Sequence, residues 1–293
     1  MNLAVFDCSP SYYFVADGLR WGTLNQGWNV TLHDHEGLDA SFMANLLNGI
    51  RATFLSSDFT GVDRGAAVVM MGYSGGSSPT TLAAELKSTY APALNIIGTA
   101  VGGLLPSLQS VYPTPSRLMH QSLSHNTTRK KQFEEFRPMC SEQLRSTLVY
   151  ENIASYFQRM ELLNSPDIQE IFSNNSLGQD VPAMPMFVYK SRHDEASPTV
   201  DSDNLVSWYC REGARIHYRM QTQESHRSLA LTGILQDLAW SKERFNGLVM
   251  PEGCQNSIHS FASTDFDALA FLGETAVGAI ERQLGVDLPS LII

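Results

Sequence analysis

Charge is scarce in this chain, and what there is leans one way. Only 17% of the 293 residues are charged, and 20 Lys+Arg against 30 Asp+Glu give a formal net charge of -10. An acidic surface repels phosphate backbones and anionic headgroups, so nucleic acid is not an expected partner. The one basic run, Arg129-Lys130-Lys131, is short and is soon followed by Glu134 and Glu135. No apolar run is long enough to span a bilayer, so no membrane span is expected. The first residues, MNLAVFDCSPSYY, carry neither the basic start nor the long apolar stretch of a signal peptide, which by itself predicts a cytosolic protein. Internal repeats and low-complexity tracts are missing as well.

Cysteine is sparse but not absent. Cys8, Cys140, Cys210 and Cys254 are widely separated, and no C-x-x-C pair points to zinc or dithiol redox chemistry. An even number of cysteines, together with glycosylation sequons at Asn29, Asn126 and Asn174, points the other way on compartment, toward an oxidising one. Nothing in the sequence fixes the oligomeric state.

What is there is an alternation of strand and helix patterns. Trp28 to Leu32 reads as a short strand, and Ala40 to Phe54 as a helix with Phe42, Leu46, Leu47 and Ile50 on one face. Ala66 to Met71 is a continuous apolar run, expected to be a strand buried on both faces. A helix over Leu82 to Tyr90 and a strand over Leu94 to Val101 follow. Later come a strand over Pro185 to Tyr189, a helix over Asn204 to Arg211 ended by Gly213, a strand over Ala214 to Met220, and a helix over Leu229 to Arg244. This spacing predicts an α/β protein with a mostly parallel sheet and helices on both faces. Between the third and fourth strands, Leu104 to Ala183 shows only helical patterns and is far too long for an ordinary connection. It is expected to be a helical cap (104–183) inserted into a core made of 1–103 and 184–293, over the carboxyl ends of the strands, where ligands bind in such sheets.

The segment VVMMGYSGGSSPT (Val68 to Thr80) carries the strongest chemical signal. A G-x-S-x-G pentapeptide between a buried strand and a helix is the setting of a nucleophilic serine on a sharp turn. The glycines admit the turn, the Ser74 hydroxyl is exposed at its tip, and the N–H of the next residue, Gly75, can face an oxyanion. The bland alternative is a tight turn with no chemistry. Pro79 falls near the end of the first helical turn, where at most one backbone hydrogen bond is lost.

A serine nucleophile needs a base, and the base needs an orienting acid. The loop SRHDEASPT after the fourth strand offers Asp194 and Glu195, and QTQESHRSL after the fifth offers His226. Their order along the chain suits this fold, but spacing does not choose between the two carboxylates. His217 falls in a strand pattern, His120 and His125 in the cap, and His259 in the tail. His33 and His35, with Asp34 and Glu36, could converge on a metal, but no distant third ligand completes a site, so no metal is expected. Tyr12-Tyr13-Phe14 reads as core packing.

The whole chain resembles the fungal secretory lipase family of α/β-hydrolases, the one that includes Candida antarctica lipase A. The resemblance is carried in order by DCSPSY (Asp7 to Tyr12), DHEG (Asp34 to Gly37), GYSGG (Gly72 to Gly76), the stretch from Ser88 to Gly98, HDEASP (His193 to Pro198), Cys210-x-x-Gly213-Ala214 and His226. It implies an α/β-hydrolase fold and a serine carboxylic-ester hydrolase acting on a small-molecule ester without a cofactor. Ser74 would be the nucleophile, Asp194 the acid and His226 the base, with Gly75 as one oxyanion donor. It also implies disulfides Cys8–Cys140 and Cys210–Cys254, and secretion.

Two departures from the family pattern bear on function. The family's signal peptide and first strands are missing from the chain as given, and a gap-free register puts the second oxyanion donor, an Asp in the family, on Asn2. The stretch from Gly103 to Cys140 is also shorter and more polar than a lipase lid, which points to short-acyl esters. The competing expectations are a secondary-metabolite deacetylase of the trichothecene-esterase type and a truncated, inactive hydrolase-like binding protein.

Overall fold

The computed structural model describes residues 23–24, 26–31, 42–107, 131 and 165–260. Two compact units divide the chain, Met1–Phe14 with Tyr112–Asn174, and Val15–Val111 with Asn175–Ile293. In the first, the described residues form one helix, Pro166–Asn174. The second holds the sheet and the helices packed on it.

Its described elements run in chain order as α1 (Phe42–Leu55), a one-turn α2 (Ser57–Thr60), β1 (Val68–Tyr73) and α3 (Ser77–Tyr90). They continue through β2 (Ile96–Gly102), then, past the first unit's helix α4 (Pro166–Asn174), β3 (Met186–Ser191), α5 (Thr199–Arg211), β4 (Ile216–Gln221), α6 (His226–Phe245) and β5 (Cys254–His259). The five strands form one sheet in the order β1-β2-β3-β4-β5, and every neighbouring pair is parallel.

The pleat sorts side chains between two layers, because successive residues of a strand point to opposite faces. One face carries Met70, Val101, Met186, Val188 and Ile216. Leu47 and Ile50 of α1, Ala83 and Ala84 of α3, and Leu205, Val206 and Tyr209 of α5 pack against it. The other carries Ala100, Phe187 and Tyr189 against Leu229 and Trp240 of α6. Helices therefore cover both faces, as the strand–helix alternation predicts. Each fully buried aliphatic side chain, Leu47 and Ile216 among them, contributes roughly 1.5–3 kcal/mol of transfer free energy. A disulfide joins Cys210 at the end of α5 to Cys254 at the start of β5. Among the described residues, no helix is long and apolar enough to cross a membrane.

Several elements differ from the sequence expectation, and β5 is one it lacked. Residues 28–31 are not a strand: the Trp28 N–H turns back to the Thr23 carbonyl, and its ring packs, tilted by 49°, with its centroid 4.7 Å from that of Phe245 of α6. Helix packing has overridden local strand propensity there. In β1, Met70 alone is fully buried, because among the described residues this strand pairs on one side only. Helices α3 and α5 begin before their apolar patterns, with SSPTT and TVDSD as polar first turns.

Candidate active site

β1 delivers Ser74 in the left-handed region, at φ 54°, and it is the one non-glycine residue with positive φ among the described residues. That conformation costs a residue with a Cβ about 1–2 kcal/mol. Neighbours hold it. Ser77 Oγ donates to the Ser74 carbonyl at 2.6 Å and accepts the Leu105 N–H at 3.1 Å. Gly72 makes room for the turn, since a Cβ there would lie 2.4 Å from the Gly76 carbonyl oxygen and 2.6 Å from Thr80 Oγ1. Gly76 is different. It has ordinary helical angles (φ -77°, ψ -18°), and a Cβ would meet nothing within 4 Å. The steric need for glycine thus sits on one side of the serine, not on both.

His226 is the first residue of α6. The helix starts there because Ser225 and Ser228 form a reciprocal capping box. His226 Nε2 lies 2.8 Å from Ser74 Oγ, and Nδ1 lies 2.8 Å from Asp194 Oδ2. The carboxylate requires the proton on Nδ1, which leaves Nε2 as an acceptor for the serine hydroxyl. The ring is confined. Gly103, at φ 56°, would place a Cβ 2.8 Å from its Cε1, so only glycine fits beneath it. Tyr73 donates its hydroxyl to the His226 carbonyl at 2.6 Å, with its ring 5.2 Å from the imidazole.

The loop after β3 supplies the carboxylate at the other end of the imidazole. Asp194 Oδ1 accepts the N–H groups of Ala196 and Ser197 at 2.9 and 2.8 Å, and Oδ2 accepts from His226 and from Lys190 Nζ at 2.9 Å. Burial alone would raise this carboxyl. The hydrogen bond from His226 and the charge of Lys190 outweigh it and hold the group well below the usual carboxylate range. Glu195 does something else: its carboxylate accepts the backbone N–H groups of His226 at 2.7 Å and Arg227 at 3.4 Å.

Thus Ser74, His226 and Asp194 come together, and Gly75 is exposed directly after the serine. Asn2, Cys8, Cys140, Asn126, the His33/His35 pair, His120, His125 and the Tyr12-Tyr13-Phe14 run lie outside the described residues. Asn29 and Asn174 are exposed. His217 bonds Ser257 at 3.0 Å, and burial, with Arg219 and His259 nearby, pushes it down to about 4. No group of three or more His, Cys, Asp or Glu suited to a metal occurs among the described residues.

Sequence reasoning missed Lys190 and Tyr73. Lysine inside the otherwise apolar strand MFVYKS was a signal, since lysine is almost never fully buried without a partner. Nothing local announced the role of Tyr73.

A family model described as "Secretory lipase" matches residues 18–115 and 106–253. "Lipase A" of Arthroderma benhamiae is 33% identical, over 97% of this chain and 70% of that protein. A "Secreted triacylglycerol lipase" of Malassezia globosa is 25% identical, over 95% and 71%. A "Probable inactive lipase" of Mycobacterium tuberculosis is 23% identical, over 94% and 70%. Candida antarctica lipase A in its closed state superposes with a TM-score of 0.73 at 25% identity, over 89% of this chain and 69% of that one.

Proposed function

The chain belongs to the secretory lipase family of α/β-hydrolases and is a carboxylic ester hydrolase; from that premise we propose that Ser74, His226 and Asp194 carry the reaction through an acyl-enzyme. The observation behind this reading is the unbroken hydrogen-bonded chain from Ser74 Oγ through the imidazole to Asp194, each link at 2.8 Å. Ser74 Oγ attacks the ester carbonyl while His226 Nε2 takes its proton. The N–H of Gly75 faces the oxyanion. The imidazolium, stabilised by Asp194, protonates the leaving alcohol. Water then attacks the acyl carbon as His226 takes its proton; the imidazolium returns that proton to Ser74 Oγ as the acyl bond breaks and the acid leaves. No step calls for a cofactor.

The substrates in this reading are soluble short-acyl esters, and the setting is extracellular. Relatives with "secreted" in their names, the Cys210–Cys254 disulfide and the exposed sequons at Asn29 and Asn174 support that setting. The 104–183 segment is, in this reading, a cap insertion between two parts of the hydrolase core.

The relative described as inactive keeps a second reading open, a hydrolase-like protein without turnover. A fluorophosphonate probe separates the two. An active site adds the phosphonyl group to Ser74, located by peptide mass, and Ser74→Ala abolishes both labelling and p-nitrophenyl acetate hydrolysis. Folded protein that takes up no label supports the inactive reading, and a fully active Ser74→Ala variant removes the assignment.

A further inference from the structure

Lys190 is fully buried, yet it lies at the end of β3 directly behind the acid of the site. Its Nζ reaches Asp194 Oδ2 at 2.9 Å, the Leu104 carbonyl at 3.1 Å and Ser197 Oγ. Ser197 Oγ lies 3.2 Å from the same carbonyl, to which it can donate, leaving its own lone pairs toward Nζ. Three acceptors around one nitrogen match the three N–H bonds of an ammonium. A neutral amine has only two N–H bonds and would turn a lone pair on one of them. The charged form therefore fits the cavity, although burial pulls the group below the usual lysine value.

The oxygen that Lys190 binds is the one that accepts the His226 ring N–H. A cation on that oxygen draws density from it and opposes a second positive charge on the imidazole. The carbonyl that Lys190 binds belongs to Leu104, next to the Gly103 backbone against which the imidazole packs. The lysine thus ties the acid to the wall of the base.

We propose that Lys190 is a positioning residue of the hydrolytic site, holding Asp194 in register and offsetting its charge at the oxygen that faces the His226 ring. This rests on the Ser74, His226 and Asp194 assignment. Among the described residues, the other ionisable groups near the acid and base include Tyr73 at the end of β1, Glu195 in the acid loop, and Glu224 and Arg227 on either side of His226. Asp201 and Asp203 of α5 face Lys190. All of these are unchanged when Lys190 alone is replaced, so a shift in the pH profile reads its charge.

The test is the pH profile of kcat/KM for a soluble acetyl ester in wild type, Lys190→Met and Lys190→Gln. Both variants remove the charge, and glutamine keeps a donor toward Asp194. The acid limb is expected to move to higher pH by about one unit in both, the scale of a charge within several Å. A uniform loss of rate with the limb in place overturns the proposal, since a purely structural role predicts that. Should neither variant fold, 15N spectroscopy of the wild-type lysine at pH 7 decides: an ammonium signal supports it and a neutral amine overturns it. Ser74→Ala is run in parallel. Hydrolysis that survives it discredits the triad reading itself, whereas Ser74-dependent activity with an unmoved limb discredits only the role of Lys190.

Discussion

Glu195 accepts the backbone N–H of His226 at 2.7 Å, while its chain neighbour Asp194 accepts the ring N–H of that same histidine at 2.8 Å. One loop after β3 therefore grips both the backbone and the ring of this histidine. The division of labour follows from helix chemistry. His226 opens α6, where the first N–H groups have no partner within the helix, and a carboxylate there complements the helix dipole. Glu195 fixes where the residue begins, and Asp194 fixes which way its ring points.

The two carboxylates should separate cleanly on substitution. Asp194→Asn is expected to lower kcat on the order of 10⁴-fold, because an amide favours the wrong imidazole tautomer. Glu195→Gln keeps a carbonyl acceptor for the His226 N–H and should cost only a few-fold in kcat. Glu195→Ala removes this added acceptor at the start of α6, leaves the Ser225–Ser228 capping box, and should lower stability by about 1 kcal/mol. Steady-state rates on p-nitrophenyl acetate beside thermal melts give both readouts. A severe Glu195→Gln with a mild Asp194→Asn would assign the acid role to Glu195.

The glycines flanking Ser74 make a second contrast. Gly72→Ala drives a methyl group to 2.4 Å from the Gly76 carbonyl oxygen, and backbone cannot yield as a flexible side chain can. Loss of soluble protein, or of fluorophosphonate labelling, is expected. Gly76→Ala meets open space at helical angles and should fold with unchanged or slightly greater stability, up to about 1 kcal/mol, through a less flexible unfolded chain. Equal damage at both positions would contradict this one-sided account of the turn.

The features that could be read in advance were those encoded locally. The apolar run of β1, the glycine before Ser74 and the polar loops after β3 and β4 gave the parallel sheet and placed Ser74, Asp194 and His226 at its carboxyl end. β5 escaped because CQNSIH has neither an apolar run nor a clean alternation, and its pairing is with β4, not with any local turn. Trp28 misled, since its strand propensity lost to a contact with Phe245. The choice between Asp194 and Glu195 had no local signal at all. It depends on the three-dimensional path of the loop past the first residue of α6.

Asp237 carries a prediction about stability against pH. It is buried on α6 and takes the Tyr189 hydroxyl at 2.8 Å on Oδ2, while Oδ1 has no hydrogen-bond partner among the described residues. Burial pushes its carboxyl up to about 8, with the Tyr189 hydrogen bond pulling partly the other way. The unfolded chain releases that proton near 3.9, so between these values the folded state binds more protons than the unfolded one. The contribution is fully present below about pH 4 and is lost as pH rises through 8. Asp237→Asn should flatten the decline and raise the melting temperature at pH 8; about 1 kcal/mol corresponds to roughly 2–4 °C in a domain of this size. Melts from pH 4 to 9 that run parallel for wild type and variant would contradict this.

The last prediction concerns acyl length. An enzyme that works at an oil–water interface needs an apolar surface over its site that opens and docks on lipid. Between Gly103 and Cys140 this chain has Ser107, Gln109, Ser110, His120, Gln121, His125 and Asn126, and then the basic run Arg129 to Lys131. Entering lipid would strip water from such groups at roughly 1–3 kcal/mol for each one left unpaired. A few of them offset the gain from inserting a side chain such as leucine or phenylalanine. Rates should therefore be highest for acetyl to butyryl esters and fall toward palmitoyl, with a bulky alcohol tolerated. Tributyrin, assayed below and above its solubility limit, should give a smooth saturation curve. A sharp rise at that limit, or a maximum at long chains, would mean that this polar segment works as an interfacial lid after all.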